Sequence, residues 1–494
     1  MDPVAFIGYA PDLPPMTPGV ITNCSAIVPT LRGYRGAPTE VDAGLNALSA
    51  GPCKGAALVQ LTDDSTRMFA GTSDTMYEAS GSAWVNRTGS TLNGLGGSDR
   101  WRFAQFGDVT IMAAKTEIIS YIDTGSVISY ATSVAPRCGI VETANNFVIG
   151  FDVADQGGLY DSADHPDGWW CAARGGYTDW VPSVTTEAAT GRLTSTPGKI
   201  VGAKRFGYEV VAYKVSSMYV GAYVGQPDIW KWSLVPGEAG ALSHEVIVSV
   251  GTPQQPKHIF MGLDNFYEFD GGRPVPIGDE LRETVFTELN LSYYYVATAL
   301  HDAVNKLIYF YYPVGSTGNP DRCVVYNYRT RKWGRDDREI QAVMQFIASG
   351  LTYDELGNEV ATFDQMPETP YDYTFASAAT PLPSIFDTSN QLQRLTGASD
   401  SSSITTGDYG NDQIYTLLSR VRPMFLTQPQ SATMVHHHRA TMGEALASEA
   451  AIALESGRFD PLYSDRWHRM TFNMIGPHEM MGFSADMTED GEED

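Results

Sequence analysis

Residues that could bind a metal ion or catalyse hydrolysis form a few short clusters in this 494-residue chain. One cluster holds Asp161, Asp164, His165 and Asp167, which are oxygen or nitrogen donors within a short segment. Calcium loops place Asp at alternate positions around a glycine bend, and this spacing does not match the twelve-residue loop. The Pro-Asp-Gly sequence that ends the cluster favours a turn. We therefore predict a turn here and no metal site.

A run of three histidines, His436, His437 and His438, forms another cluster. Adjacent residues of a β-strand point to opposite faces, so at most two of the three can share a metal ion. No cysteine or carboxylate stands beside them at ligand spacing. We expect a stretch at the surface or at an interface.

Two pairs of adjacent acids, Asp63-Asp64 and Asp336-Asp337, bear on glycoside hydrolysis, which needs two carboxylates about 5–9 Å apart. Adjacent acids are common in loops, and the sequence RDDR from Arg335 to Arg338 is typical of an edge turn with local ion pairs. The string Gly94-Leu95-Gly96-Gly97 is a loop, and GxSxG, HExxH, P-loop and dinucleotide motifs are absent from the sequence. We expect no catalytic, cofactor-binding or metal-binding residue, and no enzyme.

The tryptophans offer a carbohydrate-binding face, because indole rings stack on sugars. Tryptophan equally fills the space between sheets or subunits, and we favour packing. A carbohydrate-binding or carbohydrate-cleaving protein, free or part of a tail spike, remains the alternative function. The residues concerned are Trp169, Trp170, Trp180, Trp230 and Trp232.

The elements that must position these residues are short strands. The chain is 43% apolar and 18% charged, with 48 Gly and 28 Pro, a composition that indicates many strands and tight turns. A hairpin pattern with a tyrosine or leucine anchor recurs along it. A base period near 40 to 45 residues with loop insertions is that of a propeller blade. The anchors are Tyr77, Tyr121, Tyr160, Tyr219, Tyr267, Tyr326 and Leu392.

We therefore predict an all-β fold: an irregular β-propeller of six to eight blades with long insertions, plus an appended β element. A tandem of β-sandwiches is the alternative. The predicted divisions are a proline-rich extended arm (1–55), the propeller body (56–415), the appended element (416–485) and a disordered acidic tail (486–494). Residues 280–290 are predicted to form a helix, and residues 469–486 two strands around a Gly-Pro turn. For residues 442–456 the sequence is compatible with either a helix or a strand.

Charge and cysteine content limit the environment and partners. The net charge of −25 excludes nucleic-acid binding through a general basic surface. Five scattered cysteines without a CxxC pair predict neither a disulfide framework nor a zinc site, and indicate a reducing cytoplasm. The sequence has no apolar run long enough to span a bilayer, and we expect no signal peptide at its start.

A series of phrases, in order along most of the chain, resembles the tail tube or nozzle proteins of short-tailed bacteriophages, also called tail tubular protein B or packaged-DNA stabilisation proteins. The phrases are PDLPPMTPGVITNCSAIVPTLRGYRGAP (11–38), RWRFAQFGDVTIMAA (100–114), GGYTDWVPS (175–183), PGKIVGAKRFGYEVVAYKVSSMYVGAYVG (197–225), HIFMGLDNFYEFDGGRPVPIG (258–278), DRCVVYNYRTRKWG (321–334) and GRFDPLYSDRWHRMTFNMIG (457–476).

The resemblance implies a structural virion protein with no catalytic residues. It implies a ring of six copies in the phage tail, assembled in the bacterial cytoplasm. An adaptor or portal-side protein would lie above the ring, and a tail needle or fibre protein at its distal end. Phage DNA would be retained and ejected through the channel without specific binding, and the chain's acidity would keep phosphates from being held there.

Overall fold

The computed structural model describes residues 3–89, 92–347 and 381–492. Its regular structure is almost entirely β-strand, which confirms the predicted all-β class. Within the described ranges, one α-helix, Arg282–Glu288, and one 3-10 helix, Tyr294–Val296, interrupt the strands. The α-helix confirms the helix predicted for residues 280–290.

Seven four-stranded antiparallel units, numbered blades 1 to 7 in chain order, surround a common axis. Six of them are separate four-stranded sheets, and blade 6 continues into a larger sheet. Blades 1 and 2 consist of Ala56–Gln60, Thr66–Gly71, Met76–Ser80 and Ala83–Asn86, and of Arg102–Phe106, Val109–Ala113, Ser120–Ile122 and Ser129–Tyr130. Blades 3 and 4 consist of Arg137–Ala144, Phe147–Ala154, Asp164–Cys171 and Ala189–Arg192, and of Gly202–Phe206, Glu209–Tyr213, Met218–Gly225 and Ile229–Leu234.

The remaining blades complete the ring. Blade 5 consists of Ile247–Thr252, Gln255–Met261, Phe266–Phe269 and Val275–Pro276, and blade 6 of Thr298–Asp302, Leu307–Tyr312, Arg322–Asn327 and Lys332–Arg335. Blade 7 consists of Ala342–Phe346, Leu382–Phe386, Leu392–Gly397 and, from the N-terminal arm, Thr39–Asp42.

The ring closes between the two ends of the propeller sequence. The first strand of each blade lies against the first strand of the next, and that of blade 7 lies against that of blade 1. Thr39–Asp42 pairs antiparallel with Leu392–Gly397, so strand hydrogen bonds join an early segment of the chain to a late one. The predicted propeller of six to eight blades is confirmed.

The tyrosine pattern marks the third strand of a blade. Tyr160 is the exception, because it lies 63% exposed in the loop between the second and third strands of blade 3. Asp155 organises that loop by accepting the backbone N–H groups of four consecutive residues. The third strand of blade 3 buries Trp169 and Trp170 in place of a tyrosine. The anchors that lie in third strands are Tyr77, Tyr121, Tyr219, Tyr267, Tyr326 and Leu392.

The appended part, here called the β module, consists of two sheets around a shared core. One sheet continues from blade 6 through Ile27–Pro29, Tyr34–Gly36, Glu479–Glu492, Ile414–Thr427 and Tyr463–Asp465, with Val4–Ala5 paired to Glu479–Glu492. The other contains Gly8–Tyr9, Val20–Ser25, Ser401–Thr406, Trp467–Ile475, Ser431–Arg439 and Ala447–Ser448, with Tyr409–Gly410 and Ile452–Ala453 at its sides.

Two of the predicted divisions are corrected. The last propeller strand before the β module is Leu392–Gly397, and Ser401–Thr406 already belongs to the β module, so the propeller does not extend to residue 415. The tail was predicted to be disordered from residue 486, but strand Glu479–Glu492 continues through this region against Ile414–Thr427. Backbone pairing along two long strands therefore outweighs the acidic composition. Residues 493 and 494 lie outside the described part of the chain.

The secondary structure of two segments of the β module was also predicted from the sequence. The region 442–456 contains the short strands Ala447–Ser448 and Ile452–Ala453, both paired with Ser431–Arg439, so the strand alternative is correct there. The two strands predicted around a Gly-Pro turn are Trp467–Ile475 and Glu479–Glu492.

The N-terminal arm connects the propeller to the β module. The Tyr34 hydroxyl donates to the Trp333 carbonyl oxygen at 3.0 Å, and the Lys332 ammonium donates to the Phe6 carbonyl oxygen at 2.7 Å. Ile27 pairs with Arg335 of blade 6 in the same sheet. The arm packs on other elements, as predicted, and the buried core continues across the junction.

The arm also caps the α-helix. The Asp12 carboxylate accepts the backbone N–H groups of Glu283 and Thr284, at 2.5 and 3.1 Å, and the Thr284 hydroxyl. Asp12→Ala is expected to lower the free energy of unfolding by about 1 kcal/mol, because these donors lose their acceptor at the positive end of a helix. Denaturant unfolding measures this loss. Asp12→Asn, which keeps an acceptor oxygen, should lose less, and equal losses in both variants would contradict the capping role.

Candidate functional site

A cavity of about 420 Å³ lies on the propeller axis, lined by residues from the first strands of several blades and the loops before them. Arg102 of blade 2 forms a bidentate ion pair with Glu245, which precedes the first strand of blade 5, at 2.8 and 3.2 Å. The same guanidinium donates to the Gly139 carbonyl oxygen of blade 3 at 2.6 Å. One arginine thus connects three blades across the axis.

The cavity carries more positive than negative charge. Arg100 and Lys204 also line it, and neither makes an ion pair within the described residues. Burial lowers the pKa of Arg100, and the Glu245 carboxylate opposes that effect. Burial lowers the pKa of His244 well below its usual value, so this ring is neutral at pH 7. The arrangement suits a small anion, which charge-assisted hydrogen bonds from guanidinium groups would hold.

Sequence reasoning missed these residues. Arg100 and Arg102 lie within RWRFAQF, part of a phrase that carries the family resemblance. Their spacing of two residues would place both on one face of a strand. That signal was present in the sequence, but Glu245, the ion-pair partner of Arg102, lies 143 positions away along the chain.

The acidic cluster of blade 3 is distributed among separate ion pairs. His165 contacts Asp161 at 2.6 Å, the Lys115 ammonium donates to Asp164 at 2.7 Å, and Asp167 pairs with Arg192 at 2.8 Å. Within residues 3–89, 92–347 and 381–492, no group of three or more His, Cys, Asp or Glu side chains is placed to hold a metal ion.

The turn predicted for this cluster is wrong. The Pro-Asp-Gly sequence lies inside strand Asp164–Cys171, where the register with Phe147–Ala154 shifts between Phe151 and Val153. A β-bulge takes up the extra residues, so the chain continues as a strand and does not reverse.

The histidine run alternates as a strand requires, but it is buried. His436 and His438 are 0% and 8% exposed and share one face, stacked beside His468. His437 points the other way and contacts Ser448 and Thr471. The surface or interface position predicted for this run is wrong, because the sheet that continues from blade 6 packs over its even-numbered face, where the Tyr463 ring contacts both His436 and His438.

Asp63 and Asp64 lie in a turn, as predicted, whereas Asp336 and Asp337 directly follow the last strand of blade 6 without a turn. Asp63 accepts the backbone N–H and hydroxyl of Ser65 between the first two strands of blade 1. Asp336 is 2% exposed and pairs with Arg338 at 3.0 Å. Burial raises the pKa of Asp336, and Arg338 opposes this. The ion pairs of the RDDR segment therefore include a buried one, which the sequence did not indicate. The Gly94 segment is a loop, as predicted.

The tryptophans pack inside the propeller. Trp169, Trp170, Trp180 and Trp230 are each at most 6% exposed, and the indole ring centres of Trp169 and Trp232 lie 5.7 Å apart. Burial in blades 3 and 4 confirms the packing role.

The five cysteines are all free and buried, which confirms that they form no disulfide framework. Burial raises the pKa of Cys53 and of Cys171 to about 12. The helices in the described ranges are too short and too polar for any of them to cross a bilayer.

Comparisons with known proteins give distant structural similarity. No protein-family model matches the chain, and no curated protein matches it. Among solved structures, one of YCF48 bound to D1 peptide has 11% identity and a TM-score of 0.38, covering 75% of this chain and 97% of that one. A chain of the Mitotic Checkpoint Complex has 9% identity and a TM-score of 0.38, covering 72% and 94%. The Pan2 WD40 domain of Neurospora crassa has 8% identity and a TM-score of 0.37, covering 73% and 94%.

Proposed function

We propose that this protein is a structural subunit of a bacteriophage tail tube, in which several copies form the channel for phage DNA. The fusion of propeller and β module into one body is the observation that carries the proposal. Strands from the arm enter blade 7 and both sheets of the β module, and one sheet runs from blade 6 into the module. A subunit built in this way resists separation of its two parts, which suits a virion component under load.

The phrases that carry the family resemblance lie in elements that build this body. The first phrase contains arm strands of both module sheets, and the phrase at 321–334 forms the rim of blade 6, where the β module joins. The phrase at 457–476 includes Trp467–Ile475 of the β module. The resemblance thus falls on the framework and the junction.

The proposal places the DNA channel between subunits. The Arg102–Glu245 ion pair spans the axial cavity, and a cavity of about 420 Å³ has no room for a duplex. Copies arranged around a common axis would enclose a wider channel between their surfaces. The excess of 58 acidic over 33 basic residues suits a channel wall that does not retain phosphates.

The test is the assembly state of the full-length protein, alone and with the adaptor protein of a short-tailed phage. We expect a six-fold ring with a central opening wide enough for duplex DNA, seen by negative-stain electron microscopy, with the copy number from light scattering. A ring that forms only with the adaptor would also support the proposal. Monomers that ignore the adaptor would contradict it, and monomers that also bind a glycan array would favour the carbohydrate-binding alternative.

A further inference from the structure

A groove of about 550 Å³ lies at the junction of blade 6 and the β module. We call it the seam groove. Four cations line it: Arg32 and Arg35 from the arm, and Lys306 and Arg329 from blade 6 turns. None of the four makes an ion pair or a side-chain hydrogen bond to a described residue.

This concentration of free positive charge is unusual in a chain of net charge −25. Among the described residues that line the groove, the only carboxylate is Glu479, and it accepts a hydrogen bond from the Thr30 hydroxyl at 2.6 Å. The groove therefore offers unneutralised guanidinium and ammonium groups on a protein whose surface otherwise has acids in excess.

Aliphatic side chains are exposed beside these cations. Leu31, Val304 and Leu426 line the same groove and are 64%, 62% and 41% exposed. An exposed apolar cluster rimmed by charged groups is typical of a protein interaction site.

The arm side of the groove is rigid. The turn that carries Arg32 is closed by the Thr30 hydroxyl, which accepts the Gly33 N–H at 3.0 Å. Gly33 lies so close to the strand Glu479–Glu492 that a Cβ atom there would be 2.3 Å from the Met480 carbonyl oxygen. The turn is therefore held against the β module, and Arg32 is presented from a fixed backbone.

The blade 6 side is fixed in a similar way. Asp302 accepts the backbone N–H groups of Val304 and Asn305 in the turn that precedes Lys306. Asn327 accepts the N–H of Arg329 and donates to the carbonyl oxygen of Pro29. The backbone of both blade 6 turns is thus fixed where they carry Lys306 and Arg329, and the second turn is joined directly to the arm.

We propose that the seam groove binds a peptide segment of a partner protein that carries several carboxylates and at least one aliphatic or aromatic side chain. Arginine recognises carboxylates with paired hydrogen bonds, and the fixed turns reduce the entropy lost on binding. The exposed aliphatic residues would cover the apolar side chains of the peptide. A nucleic-acid duplex fits less well, because the aliphatic rim offers nothing to phosphates and the protein's net negative charge repels a long polyanion.

The test begins with a display library of random twelve-residue peptides selected on the full-length protein. We expect the enriched peptides to contain three or more Asp or Glu residues and an apolar side chain. One enriched peptide, labelled with a fluorophore, is then titrated by fluorescence anisotropy against wild type and the groove variant Arg32→Gln/Lys306→Gln/Arg329→Gln. The affinity should fall at least about tenfold, and added salt should weaken wild-type binding.

A matched control removes the same charge elsewhere. The control variant is Lys199→Gln/Lys231→Gln/Arg273→Gln. It changes three exposed cations that also lack ion pairs to described residues and that lie between blades 3 and 4, in blade 4 and in blade 5. Its affinity should stay within about twofold of wild type. Leu426→Ser should weaken binding while all four cations remain. Circular dichroism checks that each variant is folded.

Three results would overturn the proposal. Enriched peptides without an excess of acids would show that the groove does not select carboxylates. Equal loss of affinity in the groove and control variants would show that the peptide responds to the net charge of the protein and not to the groove. Duplex DNA that binds more tightly than the peptides, and through the same three cations, would assign the groove to nucleic acid.

Discussion

Asp408→Ala is expected to lower the free energy of unfolding of the β module by about 3–5 kcal/mol, because it leaves two largely buried arginines without their counter-ion. The Asp408 side chain is fully buried and pairs with both Arg439 and Arg469. Its contacts with Arg469 are bidentate, at 2.7 and 3.0 Å. The arginine side chains are only 11% and 19% exposed, so water replaces little of the lost carboxylate.

The position of Asp408 makes this loss a structural one. The residue lies between the strands Ser401–Thr406 and Tyr409–Gly410, and its backbone N–H donates to the Pro15 carbonyl oxygen of the arm at 2.7 Å. The two arginines lie on the neighbouring strands Ser431–Arg439 and Trp467–Ile475. The Asp408 carboxylate thus joins its own segment to two strands of the second sheet, and the backbone N–H of the same residue binds the arm.

The measurement is denaturant unfolding followed by the fluorescence of Trp467, the one tryptophan in residues 401–492. Asp460→Ala is the matched control, because Asp460 also contacts two arginines, Arg420 and Arg458, but lies at the surface. Surface ion pairs contribute little, so this control should unfold close to wild type. Similar unfolding midpoints for the two variants would contradict a special role for Asp408.

A further variant distinguishes the cost of unpaired buried charge from the cost of lost packing around Asp408. Replacing the triad by apolar residues, as Asp408→Leu/Arg439→Met/Arg469→Met, removes the buried charges together with their desolvation cost. This variant should recover a large part of the stability lost in Asp408→Ala. If it is no more stable than Asp408→Ala, the cost lies in packing and not in unpaired charge.

The propeller could be predicted because its signal is local and repeated. A third-strand residue such as Tyr219 or Tyr326 is buried beside its own hairpin, and each blade repeats that environment. The anchor was wrong only in blade 3, where a loop built on Asp155 places Tyr160 outside the sheet. Because the pattern repeats, the propeller was predicted correctly although one anchor was wrong.

The β module could not be delimited from sequence because its pairing is long-range. Val20–Ser25 pairs with Ser401–Thr406, and Tyr34–Gly36 pairs with Glu479–Glu492. Proline content predicted that the arm packs on something else, but the partner strands are set by tertiary packing. The acidic end of Glu479–Glu492 reads as a disordered tail until its partner, Ile414–Thr427, is known.

The charged sites escaped prediction for the same reason. Arg102 and Glu245 meet across the propeller axis, and Arg32 and Lys306 meet at the seam groove, although each pair is far apart in sequence. Isolated charged residues such as Glu245, Arg32 and Lys306 belong to no repeated pattern in the sequence. These residues come together only when the ring closes and the arm packs across it.

Acidification from pH 7.5 to 5.0 is expected to lower the free energy of unfolding of the β module by about 2 kcal/mol through His436 alone. His468 Nε2 lies 3.0 Å from the Thr416 carbonyl oxygen, which can only accept, so this nitrogen carries the proton. His468 Nδ1 then accepts from His436 Nε2 at 2.9 Å. His436 Nδ1 remains buried without a hydrogen-bond partner, and protonating it would bury a charge.

The direction of the effect follows from the pKa of His436. Burial, reinforced by neighbouring His468 and His438, lowers this pKa to about 3. The unfolded chain has a histidine pKa of about 6.5, so below that pH it binds a proton that the folded state does not. Stability is therefore complete above about pH 6.5 and falls as the pH decreases towards 3. Burial also lowers the pKa of His468, which adds to the slope.

The comparison of two glutamine variants isolates this contribution from the other titrating groups. Glutamine at position 436 can still donate an amide N–H to His468 Nδ1, but it does not titrate, so His436→Gln should give a shallower dependence of unfolding on pH. His165→Gln, in blade 3, should leave the pH dependence of the Trp467 transition unchanged. The pH dependence of the free energy of unfolding that remains in His436→Gln comes from His468 and the carboxylates. If this pH dependence is the same in His436→Gln as in wild type, His436 is not the group that destabilises the module in acid. Because the stacked histidines join Ser431–Arg439 to Trp467–Ile475, the second sheet should open before the propeller does.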